Sequence, residues 1–209
     1  MNMAPLKNTA RWALALLLGM LAQFVVPGPV RAEPLEAFQH GEPPLAGLGG
    51  PIELIDHQGQ GFTLQRLGDQ AGLMFFGFTR CATACPAALV QAREFLAQFK
   101  ARKAPKVIFV TLDPLSDDPA TLQRYLSGID TRITGLTGTP AQISRAATRY
   151  GVATQGKGVA LEHSARWYVV NAQGSVLRVY SSRDHGADMA ADLTRLQQQA
   201  NDTRISLRK

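Results

Sequence analysis

The chain's two cysteines, Cys81 and Cys85, stand four positions apart in the stretch Leu73-Met-Phe-Phe-Gly-Phe-Thr-Arg-Cys-Ala-Thr-Ala-Cys-Pro86. Two soft, redox-active sulfurs at this spacing can join as a disulfide, hold a soft metal ion, or sit in a core as small hydrophobes. Spacing alone does not choose among these, and the flanks say more. An apolar run that reads as a buried strand leads through a Gly-Phe-Thr turn into Cys-x-x-x-Cys-Pro, which opens a helix. That order is expected to set the sulfurs at the mouth of a fold and to aim them at the positive end of a helix dipole, where a thiolate is favoured. Two more residues join them by chain position. Asp113 ends a second apolar run, Val107-Ile-Phe-Val-Thr-Leu, and His163 sits just ahead of a late hairpin.

The elements that must position these residues follow from periodicity. Ile52-Glu-Leu-Ile-Asp and Phe62-Thr-Leu flank the Gly-containing turn His57-Gln-Gly-Gln-Gly and read as an N-terminal β-hairpin. Residues 72–78 form the first buried strand. After Pro86, apolar residues at Ala88, Leu89, Ala92, Phe95, Leu96 and Phe99 recur at helical spacing. The strand at 107–112 is followed by Ser116-Asp-Asp-Pro119, which starts a helix towards Leu126. Ile133-Thr-Gly-Leu is a short strand or connection, and Thr139-Pro140 caps a helix that runs through Tyr150 and stops at Gly151. Arg166-Trp-Tyr-Val-Val and Ser175-Val-Leu-Arg-Val-Tyr flank Asn171-Ala-Gln-Gly as a second hairpin, and a last helix spans 188–199. Strands alternating with helices predict an α/β domain with a central mixed sheet and helices on both faces. In such sheets sites gather beyond the carboxyl ends of the strands, so the cysteines and Asp113 share one edge. His163 joins them only if its loop folds back over that edge.

The N-terminus bounds where the protein works. Lys7 and Arg11 precede an apolar stretch from Trp12 to Val26, and Val30-Arg-Ala32 follows two prolines. This three-part pattern predicts a secretory signal peptide over 1–32, cut after Ala32. Arg31 is a poor residue beside the cut, which leaves an uncleaved membrane anchor as the alternative, whereas the apolar run is shorter than the roughly 20 residues of a full span. Export to the periplasm, as a soluble or N-terminally anchored protein, is the expectation, and outside the cytosol a cysteine pair can persist as a disulfide. Removing 1–32 takes away Lys7, Arg11 and Arg31 and no acidic residue, so 22 basic and 16 acidic side chains become 19 and 16. The remaining net charge, about +3, and the lack of a basic run interleaved with aromatics give no reason to expect nucleic acid. Residues 33–50 are rich in Pro and Gly and read as a linker, 51–200 as one domain, and 201–209 as a solvated basic tail.

Four segments together resemble the Sco/SenC family of copper chaperones, which have a thioredoxin-like fold. They are Phe76-Gly-Phe-Thr-Arg-Cys-Ala-Thr-Ala-Cys-Pro, Val110-Thr-Leu-Asp-Pro, Gly135-Leu-Thr-Gly-Thr-Pro-Ala-Gln-Ile and His163-Ser-Ala-Arg-Trp-Tyr-Val-Val-Asn-Ala-Gln-Gly, in the family's order. The resemblance implies one copper per chain, as Cu(I) or Cu(II), held by Cys81, Cys85 and His163, with Asp113 close by. It also implies delivery to the CuA centre of a respiratory oxidase. The recipient would be the oxidase copper subunit or another copper chaperone, met by a monomer. The chain departs from the family between the cysteines, where Ala82-Thr83-Ala84 replaces a common Pro-Asp-x. Asp113 has two readings, as a supporting residue next to the ligands or as a strand terminator made by Asp-Pro turn chemistry. His57 and His185 fit surface positions, and His40 falls in the linker.

Two thiolates and an imidazole suit Cu(I), and hold Cu(II) with one more donor. Zinc would accept the same three ligands plus water, but a closed four-ligand zinc site is not available from this inventory. The same cysteine pair also supports an enzyme, a thiol–disulfide oxidoreductase that keeps a partner's cysteines reduced for copper loading, or a copper or redox sensor. His163 separates these classes, because a metal site needs it and a dithiol exchanger does not.

Overall fold

The computed structural model describes residues 38–206 apart from 83, 101–103 and 157–160, so the expected signal segment 1–32 and the end of the basic tail lie outside the described residues. A seven-stranded mixed sheet forms the centre, in the order β2-β1-β5-β4-β3-β8-β9. Its strands are β1 (Glu53–Asp56), β2 (Gly61–Thr63), β3 (Gly72–Gly77), β4 (Val107–Thr111), β5 (Ile133–Thr137), β8 (Trp167–Val170) and β9 (Val176–Tyr180). A separate two-stranded ribbon pairs β6 (Thr154–Gln155) with β7 (Glu162–His163). Strands β3, β4 and β5 run parallel, and the flanking pairs are antiparallel.

The central strands are apolar along their whole length because helices cover both faces. In β3, Leu73 and Phe75 point to one face and Met74 and Phe76 to the other. The first face packs against α1 (Ala84–Ala97), α2 (Pro119–Ser127) and α4 (Gly186–Ser206), through residues such as Leu89, Phe95, Leu122 and Leu193. The second packs against α3 (Pro140–Arg149), through Ile143 and Ala147. Strand β1, one place in from the β2 edge, alternates exposed and buried residues instead, as a strand with one covered face should. Helix starts follow local chemistry. Asp118 caps α2 by accepting from the Thr121 N–H at 2.7 Å, and Thr139 with Gln142 forms a capping box on α3.

Two expectations change. Residues 38–50, which read as a linker from Pro and Gly content, are laid along the domain. Glu42 bridges Val179, and Gly49 bridges Ser175. Gly174, at φ 85°, allows this approach, since a Cβ there would lie 2.2 Å from the Gly50 carbonyl oxygen. The last helix also runs to Ser206, so residues 201–206 of the expected tail are helical. Among the described residues no helix is long and apolar enough to cross a membrane.

The strap is pinned by Asp192 of α4, which is fully buried. Its carboxylate accepts from the Gln39 and His40 N–H groups at 3.0 and 3.1 Å and from the Tyr180 hydroxyl at 2.8 Å, and it pairs with Arg195. Burial pushes this carboxyl upward, but the bonds from Gln39, Tyr180 and His40 outweigh it and hold it below the usual carboxylate range. Asp192→Ala strands these donors, and a loss of about 3 kcal/mol is expected. Because the folded-state value is depressed, the contribution is present above the unfolded value and vanishes as pH falls through the folded one. Urea unfolding of both proteins should therefore show a gap at pH 7 that shrinks below about pH 4. An equal gap at pH 7 and pH 3 would contradict this assignment.

Candidate metal centre

The fold brings the three expected ligands together. Cys81 follows the turn after β3, where its N–H donates to the Phe78 carbonyl at 3.2 Å, and Cys85 lies in the first turn of α1. The Cys85 N–H in turn donates to the Cys81 sulfur at 3.4 Å. His163 arrives from the other direction on β7. The ribbon sets Thr154 opposite His163, and the Ser164 N–H donates to the Ala153 carbonyl at 3.3 Å. This ribbon supplies the fold-back over the sheet edge that the sequence left open.

The Cys85 sulfur lies 3.6 Å from His163 Nε2, and the three ligand atoms all lie within 4.8 Å of one another. Among the described residues this is the one group of three or more Cys, His, Asp or Glu side chains placed to hold a metal ion. The imidazole is oriented on its other side, where Nδ1–H donates to the Ser164 carbonyl at 3.2 Å. That bond leaves the Nε2 lone pair facing the sulfurs. Phe75 and Phe78 meet the ring edge-on, at centroid distances of 5.9 and 6.0 Å. Phe75 itself packs on Trp167, whose indole N–H donates to Gln91 of α1 at 3.1 Å. Gly77 completes the pocket by having no side chain, because a Cβ there would sit 2.8 Å from the Cys85 sulfur.

The expected exposed thiolates are not what the structure holds. Cys85 is 0% exposed and Cys81 9%. Burial pushes the Cys85 thiol well above the ordinary thiol range, and Cys81 and Asp117 push the same way. Desolvation outweighs the one opposing influence, the backbone hydrogen bond at Phe78. Burial also lowers the basicity of His163, which keeps the ring neutral at pH 7. A cation entering this site must displace thiol protons, so binding releases acid and weakens as pH falls. A soft ion that forms strong bonds to sulfur is best matched to that cost, and the S, S, N set has the composition that Cu(I) prefers.

The remaining candidates fall elsewhere. The Asp113 carboxylate accepts from Arg80 at 2.5 Å, while its backbone carbonyl accepts from the N–H groups of Ser116 and Asp117. It thus shapes the loop beside Cys81 and lies outside the ligand group. His57 Nδ1 accepts from the Gly135 N–H at 2.8 Å, and His40 rests on Asp192 and Asp188. Sequence reading missed Asp117, which is fully buried and bonded to Thr79 and Thr111. Its only signal was a second acid before the Asp118 cap, in a run that reads simply as a helix start.

The fold and site define a thioredoxin-like α/β protein with a Cys, Cys, His group placed to hold a metal ion at the carboxyl edge of its central strands. The SCO1/SenC family model matches residues 41–198, and the chain belongs to that family. A SCO2-like protein of Rickettsia conorii is 29% identical over 183 residues, covering 79% of this chain and 85% of its own. The structure of Bradyrhizobium japonicum ScoI with copper bound superposes with a TM-score of 0.65 at 33% identity, covering 71% of this chain and 99% of that one. Yeast Sco1 with copper bound gives a TM-score of 0.62 at 27% identity, covering 71% and 87%.

Proposed function

We propose that the protein is an exported copper metallochaperone that carries one copper ion on Cys81, Cys85 and His163 and passes it to the CuA centre of a respiratory oxidase. The observation that carries this reading is the 3.6 Å approach of His163 Nε2 to the Cys85 sulfur, with both sulfurs and the imidazole within 4.8 Å. Copper is cargo here. Three ligands, with no fourth Cys, His, Asp or Glu grouped with them among the described residues, leave room for a recipient's donor to enter and take the ion. The copper-bound Bradyrhizobium and yeast relatives support the choice of metal. Export rests on the signal pattern in residues 1–32, and the oxidase as recipient rests on the family.

Titration of the reduced protein with Cu(I) against a competing chelator is expected to end at one equivalent per chain, with proton release. An endpoint far below one equivalent would overturn the reading. The second reading, a reductase of partner cysteines, is favoured by one observation, the approach of the Cys81 and Cys85 sulfurs to within 4.8 Å of each other. It predicts disulfide exchange with a partner thiol that is indifferent to His163.

A further inference from the structure

The turn that presents Cys81 has no regular secondary structure of its own and must be held from outside. Phe78 and Thr79 follow β3, and the backbone of this stretch is closed by the bond from the Cys81 N–H to the Phe78 carbonyl. Asp117 grips it from the loop before α2. One oxygen, Oδ2, accepts from the Thr79 N–H at 3.0 Å and from the Thr111 hydroxyl at 2.6 Å. The other, Oδ1, accepts from the Thr79 hydroxyl at 2.5 Å. Thr111 is the last residue of β4, opposite Gly77 in the parallel register, and its hydroxyl also accepts from the Asp113 N–H at 2.9 Å. The carboxylate therefore ties the end of β3, the end of β4 and the start of α2 to a single point. It is fully buried, and a buried carboxylate is retained only where donors replace its water.

We propose that Asp117 is a positioning residue that fixes the Thr79 turn and so sets the placement of Cys81 against Cys85 and His163. The proposal rests on the copper-chaperone reading for its purpose but not for its geometry. The chemistry of the grip separates contact from charge. Asparagine at this position can place its carbonyl oxygen where Oδ2 accepts twice, and its amide can donate to the Thr79 hydroxyl oxygen once that hydroxyl rotates. All three contacts survive and the charge is gone. Alanine removes all three.

Copper affinity of the reduced protein and its dithiol–disulfide midpoint in glutathione buffers without copper should be measured for wild type, Asp117→Ala and Asp117→Asn. In the second assay Cys81 and Cys85 lose two electrons and two protons as the S–S bond forms, and glutathione disulfide is reduced to two thiols. Asp117→Ala is expected to weaken copper binding at least about tenfold and to shift the midpoint, with Asp117→Asn recovering most of both, in the range of 10–100-fold effects seen for residues that orient ligands. Wild-type values for Asp117→Ala in both assays would overturn the proposal. Equal losses in the two variants would also overturn it, by assigning the effect to charge. If Asp117→Ala does not fold, Thr79→Val decides the matter, because it removes the 2.5 Å hydroxyl contact and keeps the backbone one. An unchanged affinity and midpoint there would count against Asp117. If wild type itself takes up no copper, the chaperone reading fails, while the midpoint shift still reports on the turn.

Discussion

Cys85→Ser is expected to abolish tight copper binding. The side chain at this position is completely buried, its sulfur is 3.6 Å from His163 Nε2, and it accounts for one of two soft donors in the group. An alcohol in its place is a hard donor that stays protonated at neutral pH, so it offers Cu(I) almost nothing. The loss should exceed the roughly 10–100-fold that removal of a mere orienting partner costs. The hydroxyl also falls in the buried core cluster that includes Phe75, Phe109 and Leu89, where an unpaired polar group costs about 1–3 kcal/mol, so unfolding should be followed alongside. Competition titration with a Cu(I) chelator measures the effect. An affinity within tenfold of wild type in folded protein would remove Cys85 from the site. The variant also deletes the only disulfide the chain can form within itself, and so cannot tell a chaperone from a reductase.

Much of this site could be read before the fold was known, for definable reasons. Cys81, Cys85 and Asp113 sit directly after apolar runs, and an apolar run flanked by turn residues marks both a buried strand and the edge where it ends. Chain position thus gave their neighbourhood. His163 was different. Its distance from Cys85 is set by a two-stranded ribbon of two residues a side, too short to leave any period in the sequence. Family resemblance supplied what periodicity could not. Protonation was misjudged because a helix entrance favours thiolate only where solvent or a cation shares the work, and Gly77, Phe75 and Phe109 close over Cys85 instead. The strap at 38–50 was misjudged because Pro and Gly content reports on backbone freedom. Whether a buried acceptor such as Asp192 waits elsewhere in the chain is invisible to it. Asp117 shares that blind spot, since its donors lie 38 and 6 positions away.

His163→Ala separates the two readings of the pair. With the imidazole gone, two sulfurs remain at the same helix entrance, and nothing in the bond from the Cys85 N–H to the Cys81 sulfur depends on the ring. Disulfide formation should therefore proceed as in wild type. Copper should not. Cu(I) tolerates two thiolates alone, so its affinity is expected to fall by about tenfold, or roughly 1.4 kcal/mol. Cu(II) needs the borderline nitrogen more, and the sulfur-to-copper charge-transfer absorption of wild type should be largely lost. Transfer to an acceptor should slow or fail, because the ion now sits in a pair without the neutral nitrogen that Ser164 orients toward it. Packing does not account for the residue equally well. Phe75 and Phe78 meet the ring only by its edge, and an apolar side chain on β7 would fill that space without presenting a lone pair to sulfur. Full copper transfer by His163→Ala, together with normal oxidase assembly in cells carrying it, would leave the thiol chemistry of Cys81 and Cys85 as the function.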